Sequence, residues 1–359
     1  MAIASLFKVM KEVKKNYNKS IVSQLCDIIL LRFGKGKLGI SEYYDYKLFD
    51  DQSYSLNQKN EFIGWRRRFE VQNKFNSVSW YALSQDKLIF QQLMMGAKLP
   101  VPELQAVYCK HNRYTGEITN LKTRKNLKYF LSKKANYPFF VKPIHSWHGR
   151  GGRGVISFDD DTEQLLLLNQ QTMSLADFYQ QLSNEKSGYL VQSLLQPHSD
   201  IVNLCGKRLC TARIWVLYGN DCFTIFRALL KITVGTNMVD NTQHGKTGNL
   251  YGPIDIEKGT ISRQIKNAGY CEVKMKAHPD TNQSFDGFKL PSWEETKALV
   301  CKAAKLFPGL KLQPWDVAFT SEGPILIELS VPGDIDGPQY SEKKGLWDKQ
   351  FDAALRQIK

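Results

Sequence analysis

The sequence predicts an α+β fold in which helices and strands follow one another in blocks. Helical spacing of apolar residues is clear before Gly96, whereas the densest strand signals lie in the C-terminal half. Most predicted strands have no helix between them, so the order differs from the βαβ repeat of a parallel sheet. A chain of 359 residues, 42% of them hydrophobic, is long enough for two or three structural units.

The first 83 residues are predicted to form a mainly helical, basic region. Apolar residues recur at helical spacing around Ile21–Leu31, and the glycines that follow interrupt this pattern. The basic segment from Lys8 to Lys19 has two interpretations, a helix on a membrane surface or a solvated helix that leads into the fold. A further helix is predicted to begin at Ser84, as its N-cap, and to end at Gly96.

The rest of the chain is predicted to form two subdomains, residues 84–188 and 189–359. The first holds a buried strand at Tyr137–Val141, a glycine-rich loop, a returning strand and a helix over Leu165–Leu182. The second holds most strands, with helices over Trp293–Phe307 and Leu346–Ile358. Its strand signals are Tyr189–Leu195, Thr211–Tyr218, Phe223–Ile232, Trp315–Thr320 and Ile325–Leu329.

Charge and cysteine content limit the partners and the compartment. The net charge of +14 attracts anions such as nucleotides, acidic sugars or anionic lipids. No zinc-finger spacing, RNA-recognition signature or basic region joined to heptads occurs, so nucleic acid is not expected as a partner. Seven cysteines without a CxxC pair indicate a reducing, cytoplasmic compartment, and no apolar run is long enough for a membrane span.

The most informative segment is a predicted β-hairpin from Gln313 to Ser330. Two apolar runs flank a Ser-Glu-Gly turn, and a turn centred on Glu322 places Asp316 directly opposite Glu328. Two facing carboxylates repel each other, and Mg²⁺ would remove this conflict because it commonly takes one or two carboxylates together with substrate phosphates. The alternative is that both acids face solvent or pair with Arg or Lys side chains.

Alternation along the hairpin predicts which side chains share a face. The two acids share one face in this interpretation, and the apolar side chains share the opposite face, which packs on the core. These apolar side chains are Trp315, Val317, Phe319, Ile325, Ile327 and Leu329.

Lys142 ends a predicted strand beside a loop that is rich in glycine and arginine. A lysine at a strand end can reach a phosphate as a point charge. The loop His145–Gly154 contains four glycines, which let backbone N–H groups approach an anion closely, and Arg150 and Arg153 add positive charge. The alternative interpretation is a mobile surface loop.

Taken in order, these features resemble the ATP-grasp superfamily. Lys87 lies near a helix start, Lys142 follows a strand, and the glycine loop and the hairpin of Asp316 and Glu328 come next. The stretch from Asp86 to Pro338 is most similar to the sugar-transfer-associated branch. The motifs that carry this similarity are His278-Pro-Asp-Thr, Phe285-Asp-Gly, Leu290-Pro-Ser-Trp, Trp315-Asp-Val-Ala and Gly323-Pro-Ile-Leu-Ile-Glu.

The resemblance implies an ATP-grasp fold, in which two α+β subdomains clasp ATP, and it implies roles for the matching residues. Lys87 and Lys142 would contact the phosphates of ATP, and the glycine loop would close over them. The loop residues concerned are His148, Gly149, Gly151 and Gly152. The adenine and ribose contacts would come from Gln192, Leu194, Leu195 and Asp200.

Apart from Lys142, the catalytic and metal-binding residues come from the C-terminal subdomain. Arg213 would steady the transferred phosphate or the acyl intermediate, and Asp316 and Glu328 would hold Mg²⁺. Lys231, together with Arg227 on the same strand, would face the cleft. The polar cluster from Val239 to Asn249 is interpreted as a binding segment for the acceptor or carboxylate, with an ordinary long loop as the alternative. The catalytic set is therefore Arg213, Lys142 and Lys231.

One position departs from the family pattern. The family usually ends the hairpin with Glu-x-Asn, in which Asn is a third metal ligand, whereas this chain has Glu328-Leu-Ser330. The serine hydroxyl is on a shorter side chain, so Ser330 would bind through water or leave a second Mg²⁺ weak. Asp334 or Asp336 could compensate. The number of Mg²⁺ ions is thereby left open.

The resemblance implies a carboxylate–amine ligase that acts through an acyl phosphate and forms ADP. It would amidate a uronic acid or join an amino acid to a sugar in surface polysaccharide biosynthesis. Its partners would be small-molecule carboxylates and amines, including a nucleotide- or lipid-linked acidic sugar, at the inner face of the membrane. A kinase with the same ATP site, and a binding module whose ATP site has decayed, are the alternatives.

Overall fold

The computed structural model describes residues 3–111, 113–146, 150–242, 246–267 and 269–358. Its N-terminal part is helical, as the sequence predicts. The helices are α1 Ile3–Tyr17, α2 Ile21–Phe33, α3 Ile40–Asp45, α4 Leu56–Lys59, α5 Trp65–Phe75, α6 Tyr81–Gln85 and α7 Lys87–Gly96. Helices α1 to α3 and the loops after them bury a core rich in aromatic rings, including Tyr43, Tyr44 and Phe49. Among the described helices, none has the length and apolar content needed to cross a bilayer.

Helix α7 begins later than the predicted start at Ser84. Its N-cap is Asp86, whose carboxylate accepts hydrogen bonds from the backbone N–H groups of Leu88 and Ile89, both at 3.0 Å. Ser84 belongs to the preceding helix, and its hydroxyl donates to a backbone carbonyl of that helix at 2.9 Å. The carboxylate satisfies two helix-terminal amides at once, which makes it the stronger cap.

The first sheet has seven strands in the order β2-β1-β7-β3-β4-β5-β6. Its strands are β1 Leu104–Tyr108, β2 Thr119–Leu121, β3 Phe139–Pro143, β4 Arg153–Asp159, β5 Gln164–Leu167, β6 Thr172–Ser174 and β7 Tyr189–Ser193. All neighbours are antiparallel except β1 and β2. Helices α8 Arg124–Lys133 and α9 Leu175–Asn184 pack on this sheet through side chains such as Phe130 and Phe178.

The predicted helix over Leu165–Leu182 is wrong in its first half. The residues before Leu175 form strand β5 and the edge strand β6, and only α9 is helical. Leu165 and Leu167 are buried beneath the sheet, and β4 supplies the backbone partners of β5. A short run of leucines is compatible with either structure, so the pairing with β4 decides between them.

The second sheet also has seven strands, in the order β12-β11-β10-β9-β8-β13-β14. Its strands are β8 Thr211–Gly219, β9 Cys222–Ile232, β10 Leu250–Pro253, β11 Gln264–Lys266, β12 Val273–Met275, β13 Leu312–Thr320 and β14 Gly323–Leu329. The remaining helices are α10 Ser199–Cys205, α11 Trp293–Ala304, α12 Asp336–Glu342 and α13 Lys349–Gln357. Helices α11 and α13 confirm the two helices predicted near the C-terminus.

The segment between β7 and β8 connects the two sheets. The backbone N–H of Leu194 donates to the carbonyl of Pro138 in the first subdomain at 3.1 Å. A few residues later, the N–H of His198 donates to the carbonyl of Phe319 on β13 at 3.0 Å. This connection therefore runs beside the hairpin of β13 and β14 and fixes that hairpin close to the first sheet.

Strands β13 and β14 form the predicted hairpin, but the turn is shorter than expected. Thr320 pairs with Gly323, so the loop has two residues instead of being centred on Glu322. Continued without interruption, this register would place Ile327 opposite Asp316.

A β-bulge at Ile327 restores the predicted pair, and Asp316 lies opposite Glu328. The bulge inserts one extra residue into β14. Side chains before and after it therefore do not follow the simple alternation of faces along the strand. Leu326 and Leu329 consequently pack in the core, while Ile327 lines a cavity, which corrects the predicted apolar face.

Candidate functional site

A cavity of about 410 Å³ lies between the two sheets. Strand β3 supplies Phe140 and Lys142, and four strands of the second sheet supply another part of the wall. Helices α5, α6, α7 and α12 and the loops next to these elements contribute the rest of the lining. The structure therefore brings together predicted site residues from distant parts of the chain. Those that line the cavity are Lys87, Lys142, Gly152, Arg213, Lys231, Asp316, Glu328 and Ser330.

Asp316 is almost fully buried at this cavity, with 3% of its surface exposed. Arg213 on β8 donates two hydrogen bonds to it, from Nε to Oδ1 at 2.8 Å and from Nη2 to Oδ2 at 2.7 Å. Lys231 on β9 donates to Oδ2 at 3.0 Å. Because β9, β8 and β13 are adjacent strands, the sheet itself holds the two cations beside the acid.

The charges around Asp316 decide its ionisation state. Burial alone would raise the pKa of Asp316, but Arg213 and Lys231 lower it well below the ordinary carboxyl value. Burial would likewise lower the pKa of Arg213, and Asp316 and Glu328 outweigh this effect and raise it. Asp316 is therefore a carboxylate at neutral pH, which is the form that binds a divalent cation.

Glu328 faces Asp316 from β14 and is more accessible, with 28% of its side chain exposed. Its Oε2 atom lies 3.7 Å from Nζ of Lys87, and its Oε1 atom accepts a hydrogen bond from the Ser330 hydroxyl at 3.0 Å. Both acids thus have basic neighbours in the structure, as one of the two sequence interpretations proposed.

The oxygen atoms at this position fit a magnesium ion. Across the parts of the chain that the structure describes, no group of three or more His, Cys, Asp and Glu side chains is arranged to hold a metal ion. Asp316, Glu328 and Ser330 nevertheless present oxygen atoms to one cavity. Mg²⁺ commonly takes one or two carboxylates and completes its shell with water and substrate phosphates. Two carboxylates that border one cavity, together with a hydroxyl, are sufficient for such an ion.

Lys142 differs from Lys87, Arg213 and Lys231, which share the cavity with it, because it has no carboxylate in contact. Its Nζ atom donates to the carbonyl of Ile327 at 3.4 Å, and no acid of the described chain forms a salt bridge with it. Burial lowers the pKa of Lys142 to about 8, Glu328 opposes this shift, and Lys87 adds to it. An anion in the cavity would supply the partner that this ammonium lacks.

Lys87 is the first residue of α7 and is buried. Its Nζ atom donates to the carbonyl of Ser146 at 3.0 Å, which ties the start of the glycine loop to this helix. The ammonium thus contacts that carbonyl and lies near Glu328, and Lys87 lines the cavity.

The described part of the glycine loop requires a glycine at one position. Gly151 has a φ of +78°, and a Cβ atom there would lie 2.8 Å from Pro143 Cγ and 2.9 Å from the Tyr189 hydroxyl. Gly152 lines the cavity, whereas Gly151 packs against β3 and β7. The predicted loop residues His148 and Gly149 lie outside the described residues.

The four residues predicted to contact adenine and ribose are not part of the cavity lining. Gln192 is buried, and its side-chain amide donates to Gln91 Oε1 at 2.8 Å. Leu194 and Leu195 lie half-buried in the connection between the sheets. Asp200 is exposed in the first turn of α10, where its carboxylate is 3.5 Å from His198 Nδ1. The Gln192 side chain would have to exchange its partner before it could contact a base.

Lys231 connects Asp316 to a second acid in the polar cluster after β9. Its Nζ atom is 3.4 Å from Asp240 Oδ1, and the Thr211 hydroxyl donates to the other oxygen of Asp240. Burial raises the pKa of Asp240, although Lys231 opposes this shift. Asp240, its neighbours Val239 and Asn241, and Thr211 line the cavity, so the first part of the predicted cluster does border the site.

Arg227 does not reach the cavity, contrary to the sequence interpretation. It lies four residues before Lys231 on β9, which corresponds to about 13 Å along a strand. There its guanidinium pairs with Glu342 at 3.1 Å and with Asp348 at 2.7 Å, so it anchors the C-terminal helices. Alternation predicts that Arg227 and Lys231 share one face of β9. It does not predict that the C-terminal helices cover the part of this face where Arg227 lies.

Arg68 is a cavity residue that the sequence interpretation missed. It projects from α5 and lines the same cavity as Lys142 and Asp316. Its Nε atom is buried without a hydrogen-bond partner, and its guanidinium stacks 4.5 Å from the ring centre of Phe69. The run of three arginines in α5 is visible in the sequence, but only packing shows which of them faces the cavity.

Asp334 and Asp336, considered as substitutes for the missing asparagine, also border the cavity. The Tyr46 hydroxyl donates to Asp336 at 3.0 Å. Burial and the neighbouring Asp334 raise the pKa of Asp336 to about 7. Asp336 therefore carries a partial charge near neutral pH and is tied to the N-terminal helices.

Solved structures that match the chain include three ATP-grasp or related synthetases at low identity. The ATP-grasp ligase PsnB with its minimal precursor is 15% identical, with 79% of this chain and 63% of that chain covered and a TM-score of 0.43. The VanG D-Ala:D-Ser ligase from Enterococcus faecalis is 12% identical, with 78% of this chain and 62% of that chain covered and a TM-score of 0.42. D-alanyl-alanine synthetase A from Vibrio cholerae is 13% identical, with 78% of this chain and 66% of that chain covered and a TM-score of 0.44. The chain thus spans less than two thirds of the length of these three proteins. No curated protein matches the sequence.

A family model described as sugar-transfer associated ATP-grasp matches residues 66–353. The matched range extends beyond the predicted Asp86–Pro338 at both ends and includes Arg68. It confirms the predicted α+β ATP-grasp fold with a helical region before it, and with this fold come ATP and Mg²⁺ as the cofactors. The chain therefore belongs to the sugar-transfer associated ATP-grasp family.

Proposed function

We propose that this protein is an ATP- and Mg²⁺-dependent ligase that joins a carboxylate to an amine and releases ADP and phosphate. A carboxylate oxygen of the substrate takes the γ-phosphoryl group of ATP, and the amine then displaces phosphate from the resulting acyl phosphate. The nitrogen loses a proton as the new C–N bond forms. The carboxylate is that of a uronic acid, or of an amino acid to be joined to a sugar, in surface polysaccharide biosynthesis.

One observation supports the nucleotide part of this proposal above all others. The facing acids Asp316 and Glu328 and an ammonium without a carboxylate partner, Lys142, border the same cavity. A triphosphate with Mg²⁺ satisfies both at once, because the cation takes the carboxylates and the phosphate oxygens take the ammonium. Phosphoryl transfer depends on such positioned charge more than on covalent help from the protein.

The side chains of the cavity have separate roles in this proposal. Lys87 and Lys142 bind phosphate oxygens, and Arg213 steadies the phosphoryl group during transfer. Asp316 and Glu328 would hold Mg²⁺, which would neutralise negative charge on the phosphates when bound. Ser330 contributes to the same site through its hydroxyl, and Lys231 keeps Asp316 ionised.

The loop and the connecting segment complete the nucleotide site. Gly151 and Gly152, with His148 and Gly149, cover the phosphates and exclude water from the acyl phosphate. We assign adenine to the backbone of Leu194 and Leu195. Gln192 and Asp200 keep their predicted roles at adenine and ribose as further proposals.

Two arginines support an acidic substrate. Arg68 and Arg150 line the cavity, and neither forms an ion pair within the described residues. A uronic acid carries a carboxylate, and a nucleotide- or lipid-linked sugar also carries phosphate, so both provide partners for a guanidinium. We place the carboxylate substrate on this side of the cavity.

The test combines the purified protein with ATP, Mg²⁺, candidate uronic acids and candidate amines. We expect ADP and phosphate in equal amounts, together with an amide detected by mass spectrometry. A stable phosphorylated sugar without free phosphate would instead identify a kinase that uses the same site. Release of AMP and pyrophosphate would contradict the mechanism.

The matched control for this experiment is a pair of lysine variants. Lys142→Met removes the ammonium that lacks a carboxylate partner, whereas Lys125→Met removes an exposed lysine on α8. Product formation that requires Lys142 and not Lys125 excludes a contaminating ATPase. Equal rates in the two variants would remove the basis of the proposal.

A further inference from the structure

Helices α1 and α2 expose an unusual amount of apolar surface. Eight of the sixteen large apolar side chains that are exposed in the described structure belong to residues 6–40. They are Phe7, Tyr17, Val22, Leu25, Ile29, Leu30, Phe33 and Ile40. Single exposed apolar residues are normal, but a contiguous group marks a surface that binds something.

On α2 these residues form a stripe along one side of the helix. Val22, Leu25, Ile29 and Phe33 are spaced by three or four residues, so they lie on one face, and they are 70%, 45%, 58% and 85% exposed. The opposite face is buried in the protein core through Gln24, Ile28 and Leu31. The stripe is therefore in excess of what α2 needs in order to fold.

Helix α1 is adjacent to α2 in the chain and carries positive charge on its exposed side. Its outward side chains are Lys8, Lys11, Lys14 and Lys15, all exposed, and none forms a salt bridge within the described residues. The acids of these two helices are already engaged. Glu12 accepts a hydrogen bond from the Tyr270 hydroxyl at 3.2 Å, and Asp27 accepts from Lys19 at 2.6 Å.

We propose that this N-terminal face, formed by the four lysines of α1 and the stripe of α2, binds the surface of an anionic lipid bilayer. The lysines attract anionic headgroups, and the apolar side chains insert at the boundary with the acyl chains. The two signals together give stable binding where one alone is marginal. A second copy of the chain is the poorer occupant, because symmetric pairing would bring the two sets of lysines together.

The test is flotation of the full-length protein with vesicles of phosphatidylcholine alone and with added phosphatidylglycerol. We expect binding to the anionic vesicles, weakened by salt, and little binding to the neutral ones. The variant Ile29→Ser/Phe33→Ser loses at least about tenfold in apparent affinity, because two inserting side chains are removed. The variant Lys11→Glu/Lys14→Glu loses a similar factor, because two attractive charges become repulsive.

The control is Val78→Ser/Val273→Ser, which removes apolar side chains that are 61% and 48% exposed elsewhere. It keeps full vesicle binding. All substituted positions are exposed, so the unfolding midpoints of the three variants match that of the wild type, and their ATP turnover in solution is unchanged.

Three outcomes would overturn the proposal. They are absence of vesicle binding by the wild type, equal binding by the stripe variant, and a dimer in light scattering that Ile29→Ser/Phe33→Ser dissociates. The last result would assign the stripe to a second copy of the chain. Each outcome is independent of the ligase reaction, which is measured without lipid.

Discussion

Two clusters of charged residues both contain lysine and aspartate, but the pKa of a lysine is raised in one cluster and lowered in the other. In the N-terminal helices, Lys19 contacts Asp27 and Asp51, and Lys59 contacts the same two acids. Burial would lower the pKa of Lys19, but Asp27 and Asp51 raise it above the ordinary lysine value. In the cavity between the sheets, Lys142 has no such partner, and its pKa falls to about 8.

The difference separates a structural cluster from a binding one. A closed network satisfies its charges within the chain, so it stabilises the fold and has nothing to offer a ligand. An ammonium left with one long hydrogen bond destabilises the folded state until an anion arrives. A residue that lowers the stability of the folded protein is often part of a functional site.

Asp316→Asn has the largest expected effect because Asp316 belongs to both kinds of cluster. The substitution removes the charge that holds Arg213 and Lys231 and the proposed metal ligand. We expect turnover to fall at least about a hundredfold and the free energy of unfolding to fall by about 3 kcal/mol. Steady-state kinetics and urea unfolding measure the two effects, with the exposed Asp161→Asn as control. Loss of stability with full turnover would assign Asp316 to structure alone.

The variant Lys142→Met separates the effect on turnover from the effect on stability. We expect turnover to fall at least about a hundredfold, since the phosphates lose their point charge. The free energy of unfolding stays the same or rises, because a desolvated ammonium is replaced by an apolar side chain of similar length. Calorimetric ATP titration and urea unfolding of this variant provide the measurement. A marked loss of stability would show that Lys142 is a structural cation.

The variant Asp27→Asn is expected to lower stability without a change in turnover, which is the reverse of Lys142→Met. It weakens the network that neutralises Lys19 and Lys59, so the free energy of unfolding falls by about 2–4 kcal/mol. Turnover per folded molecule is unchanged, because the network lies outside the cavity lining. Chemical denaturation and kinetics at low temperature test this pair of expectations. Reduced kcat in fully folded protein would connect the N-terminal helices to the chemistry.

The pH dependence of stability has opposite signs for Lys142 and Lys19, because folding lowers the pKa of Lys142 and raises the pKa of Lys19. Lys142 has a pKa of about 8 in the folded protein and 10.5 as the ordinary value, so the folded state binds fewer protons between these pH values. Its destabilising effect is full below about pH 8 and is relieved as pH rises. The stability advantage of Lys142→Met is therefore largest at pH 7 and shrinks by pH 10. Urea unfolding at the two pH values tests this, and an advantage that grows with pH would refute it.

Ser330→Asn has the smallest expected effect. It restores the residue that the family usually carries after Glu328, with a longer side chain and an amide oxygen. We expect the Mg²⁺ concentration for half-maximal turnover to fall several-fold, on the order of 1 kcal/mol. A titration of turnover with Mg²⁺ measures the change, and Ser330→Ala serves as the matched comparison. An unchanged requirement would place residue 330 outside the metal site.

The sequence by itself determined the α+β class, the family and the facing acids. Alternation of apolar and polar residues and the Ser-Glu-Gly turn are local features, so they could be read without a structure. The opposition of Asp316 and Glu328 was predicted correctly, but through a turn that is one residue too long. The bulge at Ile327 compensates for that error. The boundaries at residues 83 and 188 and the roles of the site residues remain predictions. Strand β7, which the sequence analysis grouped with the second subdomain, pairs with β1 and β3 in the first sheet.

Only the tertiary structure decided which charges are paired. Arg68 follows two further arginines and Arg227 lies among apolar residues, and neither pattern reveals its surroundings. The first lines the cavity, whereas the second is paired with acids from the C-terminal helices. Likewise, Lys59 and Lys142 differ only in what the fold places beside them. Pairing depends on segments that are far apart in the chain, so local pattern carries no information about it.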